Sequence, residues 1–505
     1  MTIVSPFKKT VMAFSQSYWN SLALCLGVAF FIRVLLAWYL PGAWRPDEFF
    51  QYLEPAHRLS YGNGIITWEW RVGIRSWLVP GFFALLMDIG RALGIENTLF
   101  FIRVCLSFFS LCVPGVFFWY GWRKGGALGA WTLGAFGIFW PDIVNGSIRS
   151  LGEFLGGNTL LVGVVLILAY RHEPQDRKSL IIACIAGLAL GITSVIRFQL
   201  APAAGLAMIF LFRKTQYKQF LYALLLFTLP VLFLGFLDFL TLGQAFQSIL
   251  KNFYYNVTLG IANQFGKEPS FFYIVYSIKL WIFLIIPLSF CLLKARQEKY
   301  IPLLIAGFII FYHSLISHKE ISFIYAAILL IVFVAACGCF EIVRATPERS
   351  GKILGGLVAV MLCSFIIIDV PILNDHSIQL RLQRTASQQK DACGLALLTE
   401  RTGESIFTLG GYSITSRKIP LYAYLNPEDA IEHAPQYNYI IISNQSSTPG
   451  FYKNWDVMLC TKPNICLYHK LNQPCVGAPD FQQFSNTLKA LENSSLRFIP
   501  APDSR

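Results

Sequence analysis

Long apolar runs broken by short polar turns dominate the first 370 residues, and most of them show no polar face at helical spacing. A run of about 20 residues that is apolar all round can be stable as a helix in lipid, where every backbone group is satisfied internally. Such segments lie at 19–40, 99–120, 127–146, 151–170, 219–240, 271–293, 300–316, 321–341 and 353–371, while 179–212 reads as two shorter crossings hinged near Arg197. The pattern therefore predicts eleven transmembrane helices. The stretch WLVPGFFALLMDIGRALG at 77–94 breaks it, because Pro80, Asp88 and Arg91 leave only about 14 uninterrupted apolar residues. It is expected to be interfacial or re-entrant. The first run is too long for a signal-peptide core, lacks a small-x-small cleavage site and follows Lys8 and Lys9, so it is expected to stay as a first span.

The pattern changes beyond Asp369. Residues 373–505 mix polar and apolar positions, with SIFTLG, YNYIIIS and ICLYH reading as short strands and helical stretches near 425–433 and 480–492. This predicts a two-part chain: a transmembrane catalytic domain over 1–372, with 41–98 as its first external loop, and a soluble α/β domain over 373–505.

Composition agrees with a membrane protein, at 55% hydrophobic and 14% charged residues, yet the formal net charge is +13. In a soluble domain that excess suggests nucleic acid, so its location decides. The N-terminus and the loops 121–126, 171–178, 213–218, 294–299 and 342–352 together hold 16 Lys and Arg. The opposite face holds about 10 across roughly 100 residues. The positive-inside rule puts the basic set in the cytoplasm and the 41–98 loop outside; counting 77–94 as a span would destroy the bias. The C-terminal region, with 12 basic and 11 acidic residues, is nearly neutral. Nucleic acid is thus not an expected partner; membrane lipid is.

Of twelve cysteines, eight fall in or near apolar spans, where a thiol behaves as a small hydrophobe. Cys393, Cys460, Cys466 and Cys475 remain in the external domain, where two disulfides with three possible pairings are expected. Free thiols or a zinc site are the alternatives, the latter weakened by the absence of a CxxC pair and by a single nearby His469.

The densest chemistry stands directly after the first span, in AWRPDEFFQYLEPAHRLSYGNGIITWEWRVGIRS at 43–76. Pro46 followed by Asp47 and Glu48 is an ordinary helix start, with acids favoured by the helix dipole. The same loop also carries Arg45, Glu54, His57, Arg58, Trp68, Glu69, Trp70, Arg71 and Arg75. Charges among aromatics at a membrane surface can anchor a loop, and they are also what a site needs if a sugar arrives on a lipid phosphate. Transfer from such a carrier calls for a carboxylate to take the acceptor's proton and for cations to stabilise the departing phosphate. Asp47 can be the base. Candidate cations on the same predicted face are Arg149 in NGSIRSLGE, with Glu153 nearby, Arg197 in SVIRFQ, and His313, His318 and Lys319 in YHSLISHKEISF. Arg33, about 12 Å of helix before the outer end of the first span, either snorkels or faces a buried acid or lipid phosphate.

These residues resemble glycosyltransferase family 22, the GT-C mannosyltransferases that use dolichyl-phosphate mannose in N-glycan and GPI-anchor assembly. RPDEFFQYLEPAHRLSYGNGIITWEWRVGIRS is similar to the family's first lumenal loop. SHKEISF resembles its His-Lys-Glu block, and LDFLTLGQAFQSILKNFYYNV loosely follows a further pattern, so the resemblance covers about residues 20–340. It implies a GT-C fold with juxtamembrane helices in the first external loop. It also implies inverting, metal-independent transfer, without a cofactor, from a polyprenyl-phosphate sugar to a lipid-linked glycan or glycolipid on the non-cytoplasmic face. Asp47 would be the general base, with Glu48 supporting the site. Inversion requires base and leaving group on opposite faces of the anomeric carbon.

Three positions depart from the family pattern: Arg45 replaces His, Ser322 replaces Arg, and Leu242 replaces Tyr. A missing phosphate ligand at 322 would leave the task to Arg149, Arg197 or Lys319. The departures and the large external domain point to a bacterial plasma membrane, with the endoplasmic reticulum as alternative. Other readings are a GT-C transferase for a different sugar or acceptor, such as a lipid A or O-antigen component, and a flippase or transporter of lipid-linked saccharide. Transporters typically show repeats and broken helices at midplane, whereas the polar residues here gather at external helix ends.

Overall fold

The structure is a computed structural model, described here for residues 17–40, 42, 43, 45–399, 410–415, 417–443, 450, 452, 455–462, 465–471 and 474–495. The chain divides into two compact units, one of residues 1–37, 104–236 and 265–370, the other of 38–103, 237–264 and 371–505.

The first unit is a helix bundle. Among the described residues, seven helices of the chain are long and apolar enough to cross a membrane, or eight if the bent pair Phe272–Leu280 and Ile285–Lys294 counts as one span. The protein is a multi-pass integral membrane protein. Length and composition alone thus mark fewer helices than the eleven spans expected. Segment 99–120 and most of 127–146 fall in a single 42-residue stretch, Thr98–Phe139, and the rest of the latter forms helix Pro141–Gly146. Inside it Gly125 and Gly126 leave helical geometry, Gly126 at φ 57°, so that Gly121 and Gly129 meet backbone to backbone. Helices Ala201–Ile209 and Tyr300–Ser314 are shorter than a full crossing, and the 272–294 pair is bent by 108°.

Burial sorts the helices by position. Ile321–Ala345 and Gly152–Tyr170 are 89% and 83% buried over their apolar windows, against 17% for Lys214–Leu242. The last presents Leu221, Leu225, Leu229, Leu232 and Phe233 outward, a surface suited only to lipid. Its inner side is met by Gly187 and Gly191, a G-x-x-x-G pair on helix Arg177–Ile196. Cβ atoms there would stand 2.1 and 2.4 Å from the carbonyl oxygens of Ala223 and Phe227, so small residues are required for this approach. Asp176 and Ser179 close a reciprocal capping box at the start of that helix.

The second unit combines three sequence-distant parts. Helix Leu78–Ala92 buries Phe83, Leu86 and Met87 and exposes Leu85 and Ile89, in keeping with an amphipathic helix that is too short to cross. The C-terminal part holds a five-stranded sheet of β1 (Leu395–Leu398), β2 (Leu421–Tyr424), β3 (Tyr439–Ile442), β4 (Asp456–Lys462) and β5 (Ile465–His469), in the order β2-β1-β3-β5-β4. β2, β1 and β3 run parallel; β5 is antiparallel to both β3 and β4. YNYIIIS and ICLYH are strands as expected, and helices Pro427–Glu432 and Gln483–Ser495 occupy the expected stretches. SIFTLG lies almost wholly outside the described residues. β1, β2 and β4 were not foreseen. Helix Gln483–Ser495 shields the β2 edge: Gln483 Oε1 accepts from Ala423 N (2.8 Å), while Gln483 Nε2 and Thr487 Oγ1 donate to Ala423 O. Cys393 pairs with Cys475 and Cys460 with Cys466, selecting one of the three disulfide connectivities.

Candidate active site

Asp47 opens a continuous helical stretch in the second unit: a π-turn Glu48–Leu53 followed by α-helix Glu54–Tyr61, which Gly62 ends at φ 81°. A π-turn takes an extra residue per turn and is most often found at functional positions. Asp47 is half-buried, and Gln51, one turn on, donates from Nε2 to its Oδ2 at 2.5 Å. That contact fixes the carboxylate's orientation. A second short helix, Trp68–Val72, is ended by Gly73 at φ 73° and brings Glu69 and Arg75 together through two hydrogen bonds of 3.2 and 2.6 Å. Burial opposes the Arg75 charge, but the Glu69 carboxylate outweighs it, helped by Tyr52 and Asp47, and the guanidinium titrates above its ordinary value. Arg75 is therefore a permanent cation within electrostatic reach of Asp47.

The aromatic residues of this loop are structural walls. Trp70 donates from Nε1 to Phe50 O and packs against Trp77, ring centroids 4.5 Å apart. Trp68 is buried with Val72, Ile74, Tyr255 and Ile261. The loop is gripped from the 237–264 part by Lys251 Nζ on Val72 O (3.1 Å) and Gln247 Nε2 on Gly73 O. Asp238 orders the start of helix Gln247–Phe253 by accepting from Ser248 N and Oγ.

The other expected site residues in this unit differ in exposure. Arg45 is half-buried, and Glu48 is 1% exposed. Glu54 is fully buried, and both of its oxygens accept backbone N–H groups, Oε2 from Ile65 at 2.9 Å and Oε1 from Ser413 at 2.7 Å. His57 bonds through Nδ1 to Asn63 O at 2.6 Å and stacks on Tyr61; burial lowers its basicity against the pull of Glu54.

Arg149, Arg197, His318 and Lys319 belong to the first unit. Arg149 is fully buried, with Nε and Nη2 both donating to Asn145 Oδ1. Arg197 pairs with Glu153 at 2.6 Å and lies over the Phe323 ring. Lys319 donates to the carbonyl oxygens of Glu268 (2.9 Å) and Ile316. His318 Nε2 stands 3.7 Å from Glu320 Oε1. Arg33 is 1% exposed and donates from Nη2 to Gly137 O, so it is buried in the bundle and does not snorkel. Sequence reasoning missed Gln51, whose position four residues after Asp47 on a helix was the available signal. It also missed Asp142, which accepts from the indoles of Trp140 and Trp281 at 2.8 Å each. Among the described residues no group of three or more His, Cys, Asp or Glu is placed to hold a metal ion.

The sequence model of the Alg9-like mannosyltransferase family matches residues 26–393, well over half of the chain. The chain belongs to that family. Among curated members similar to it are GPI mannosyltransferase 3 of Yarrowia lipolytica, 26% identical over 322 residues, and Mannosyltransferase APTG1 of Arabidopsis thaliana, 27% identical over 314. These alignments cover 61% and 58% of this chain and 60% and 54% of the relatives, so the chain spans about three-fifths of the length of the curated Alg9-like proteins it matches. Among solved structures, ArnT from Cupriavidus metallidurans bound to undecaprenyl phosphate superposes with a TM-score of 0.60, at 9% identity, covering 94% of this chain and 100% of that one. The fold of this Alg9-like chain is thus the GT-C fold of ArnT.

Proposed function

We propose that this protein is an inverting membrane glycosyltransferase that moves a sugar, of the mannose class, from a polyprenyl-phosphate carrier to a hydroxyl of a lipid-linked glycan or glycolipid acceptor. The observation that carries the reading is Asp47: a half-buried, partly exposed carboxylate at a π-turn, aimed by Gln51 and accompanied by the permanent cation Arg75, in a chain of a mannosyltransferase family. In the proposed step Asp47 takes the acceptor's proton as its oxygen attacks the anomeric carbon, and the carrier phosphate leaves with the electron pair of the broken bond. Cations favour that departure because negative charge grows on the leaving oxygen. Arg75 is one candidate, and Arg149, Arg197, His318 and Lys319 are others; Lys319, whose ammonium is held by carbonyl oxygens alone among the described contacts, keeps a charge to offer a phosphate. Trp68, Glu69, Trp70 and Arg45 are proposed to shape the acceptor side, and Glu48 and His57 to support it.

The reaction is proposed for the non-cytoplasmic face of a bacterial plasma membrane. The loop-charge bias supports that orientation, and two disulfides in the C-terminal part suit an oxidising compartment. The test is transfer by purified protein in proteoliposomes, with mannosyl, glucosyl and aminoarabinosyl polyprenyl phosphates against a panel of lipid acceptors. Asp47→Asn is expected to lower transfer by roughly 10²–10⁴-fold while expression and insertion persist. Undiminished transfer by that variant removes Asp47 as base, and no transfer with any donor, together with movement of lipid-linked saccharide across the bilayer, replaces the enzyme by a transporter.

A further inference from the structure

Two carboxylates stand seven residues apart on one helical stretch, and they are treated differently. Asp47 is partly exposed, whereas Glu54 is 0% exposed and spends both oxygens on backbone N–H groups. One of those donors, Ile65, lies within the first external loop. The other, Ser413, lies 359 residues away in the C-terminal part. The approach is close enough to dictate a residue type, because a Cβ on Gly411 would stand 2.2 Å from Glu54 Oε2. Backbone at 411 is in turn tied by Gln383, whose Nε2 donates to Gly411 O at 2.8 Å. Beside it, the Tyr412 ring lies 6.2 Å from His57, stacked at 21°.

A second joint holds the neighbouring helix of the loop. Glu492 accepts from Arg71 Nη2 (2.5 Å) and from Trp68 N (3.2 Å), at the two ends of helix Trp68–Val72. That helix carries Glu69, the partner of Arg75. The C-terminal part thus grips the helical stretch that begins at Asp47 through Glu54 and the helix that carries Glu69 through Glu492.

We infer that the C-terminal part acts in the transfer reaction as a clasp that holds the Asp47 helix in its reactive placement, with Glu54 as the positioning residue that receives the clasp at Gly411–Ser413. This rests on Asp47 being the base proposed above. Glu54 then touches no substrate; it fixes the helix through a charge-assisted pair of bonds that a buried carboxylate needs on its own account. A displacement of about 1 Å at the base is enough to cost on the order of 100-fold in rate, so release of the clasp is read in kcat and not in donor KM.

The test uses the full chain and a rescue pair. Gly411→Ala drives a methyl into the Glu54 carboxylate and is expected to lower kcat by about 100-fold with donor KM within about threefold. Glu54→Asp retracts the carboxylate by one methylene, roughly 1.5 Å, keeping its charge while making room for that methyl. Glu54→Asp/Gly411→Ala is therefore expected to recover at least about tenfold of the loss, a coupling that two independent structural defects cannot produce. Amide exchange of the 46–61 peptide supplies a readout that needs no substrate: faster exchange in Gly411→Ala and restored protection in the double variant. Unchanged exchange and unchanged kcat in Gly411→Ala overturn the clasp, as does faster exchange at unchanged kcat, or a double variant no better than the single. Wild-type protein that transfers no sugar removes the enzymatic reading and with it the catalytic role of the clasp, while the exchange data still decide whether the mechanical link exists.

Discussion

The Arg71–Glu492 pair yields a prediction whose sign is contrary to the usual picture of a stabilising ion pair. The contact is short, at 2.5 Å, and both side chains are largely covered, 16% and 5% exposed. Yet burial, reinforced by the like charge of Glu69, outweighs Arg71 and the Trp68 amide, so the Glu492 carboxyl is pushed up to about 6 from 4.5. Between those values the folded chain still holds a proton that the unfolded chain has released. Stability from this group is accordingly greatest below pH 4.5 and falls by about 2 kcal/mol as pH rises through 6. Glu492→Gln keeps an acceptor for Trp68 N and removes the titration. The wild-type advantage over Glu492→Gln should therefore decline by about 2 kcal/mol from pH 3.5 to 7 and stay flat above. In amide exchange of the 66–72 segment, corrected for intrinsic chemistry at each pH, this is roughly a 30-fold change in relative protection. Glu492→Ala instead removes the carboxylate that Trp68 N and Arg71 Nη2 share, at a cost of about 2–3 kcal/mol at neutral pH. A wild-type advantage that grows as pH rises would refute the reasoning, because it would mean that pairing beats desolvation.

Three further outcomes are expected. Replacing Cys393 and Cys475 by serine opens a crosslink of sequence separation 82 and should cost about 4 kcal/mol in denaturant unfolding, whereas the same change at Cys460 and Cys466, separation 6, should cost about 2. Glu153→Ala strands the buried Arg197 guanidinium and should destabilise the bundle by about 3–5 kcal/mol, against little change for Glu153→Met/Arg197→Met, measured by thermal unfolding in detergent. A cysteine at exposed Glu428 should react with an impermeant maleimide from outside intact cells, and one at exposed Gln175 should not; the reverse labelling overturns the orientation.

What was legible in the sequence was what depends on composition over many residues. Apolar length marked the bundle, and the Pro80–Asp88–Arg91 interruptions set apart 78–92, a 15-residue amphipathic helix. The count of long apolar helices falls below eleven at local features, the Gly125–Gly126 break inside Thr98–Phe139 and the 108° bend between Leu280 and Ile285. β1 (LALL) and β2 (LYAY) are four-residue strands buried on both faces, so they lack the alternation that identifies a strand. Of the candidate site, the loop chemistry was visible as a cluster, and the Asp47–Gln51 spacing was visible in principle. The engagement of Glu54 by Ser413 was not, because the donor is a backbone amide 359 residues distant and a backbone N–H has no sequence signature.

That last point bears on how the loop's carboxylates divide their work. A general base must keep lone pairs free for a proton and meet solvent or substrate; a structural carboxylate must have its lone pairs filled, since an unpaired one in the interior is costly. Asp47 accepts from Gln51 and is partly exposed; Glu54 accepts from two backbone N–H groups and is fully buried. Glu69 is committed to Arg75 at both oxygens. Full use of their oxygens therefore sets Glu54 and Glu69 aside as proton acceptors, while Asp47 is partly exposed. Glu54 anchors the helix that carries the base and Glu69 holds the Arg75 cation, so loss of either should be felt at Asp47 before it is felt in folding.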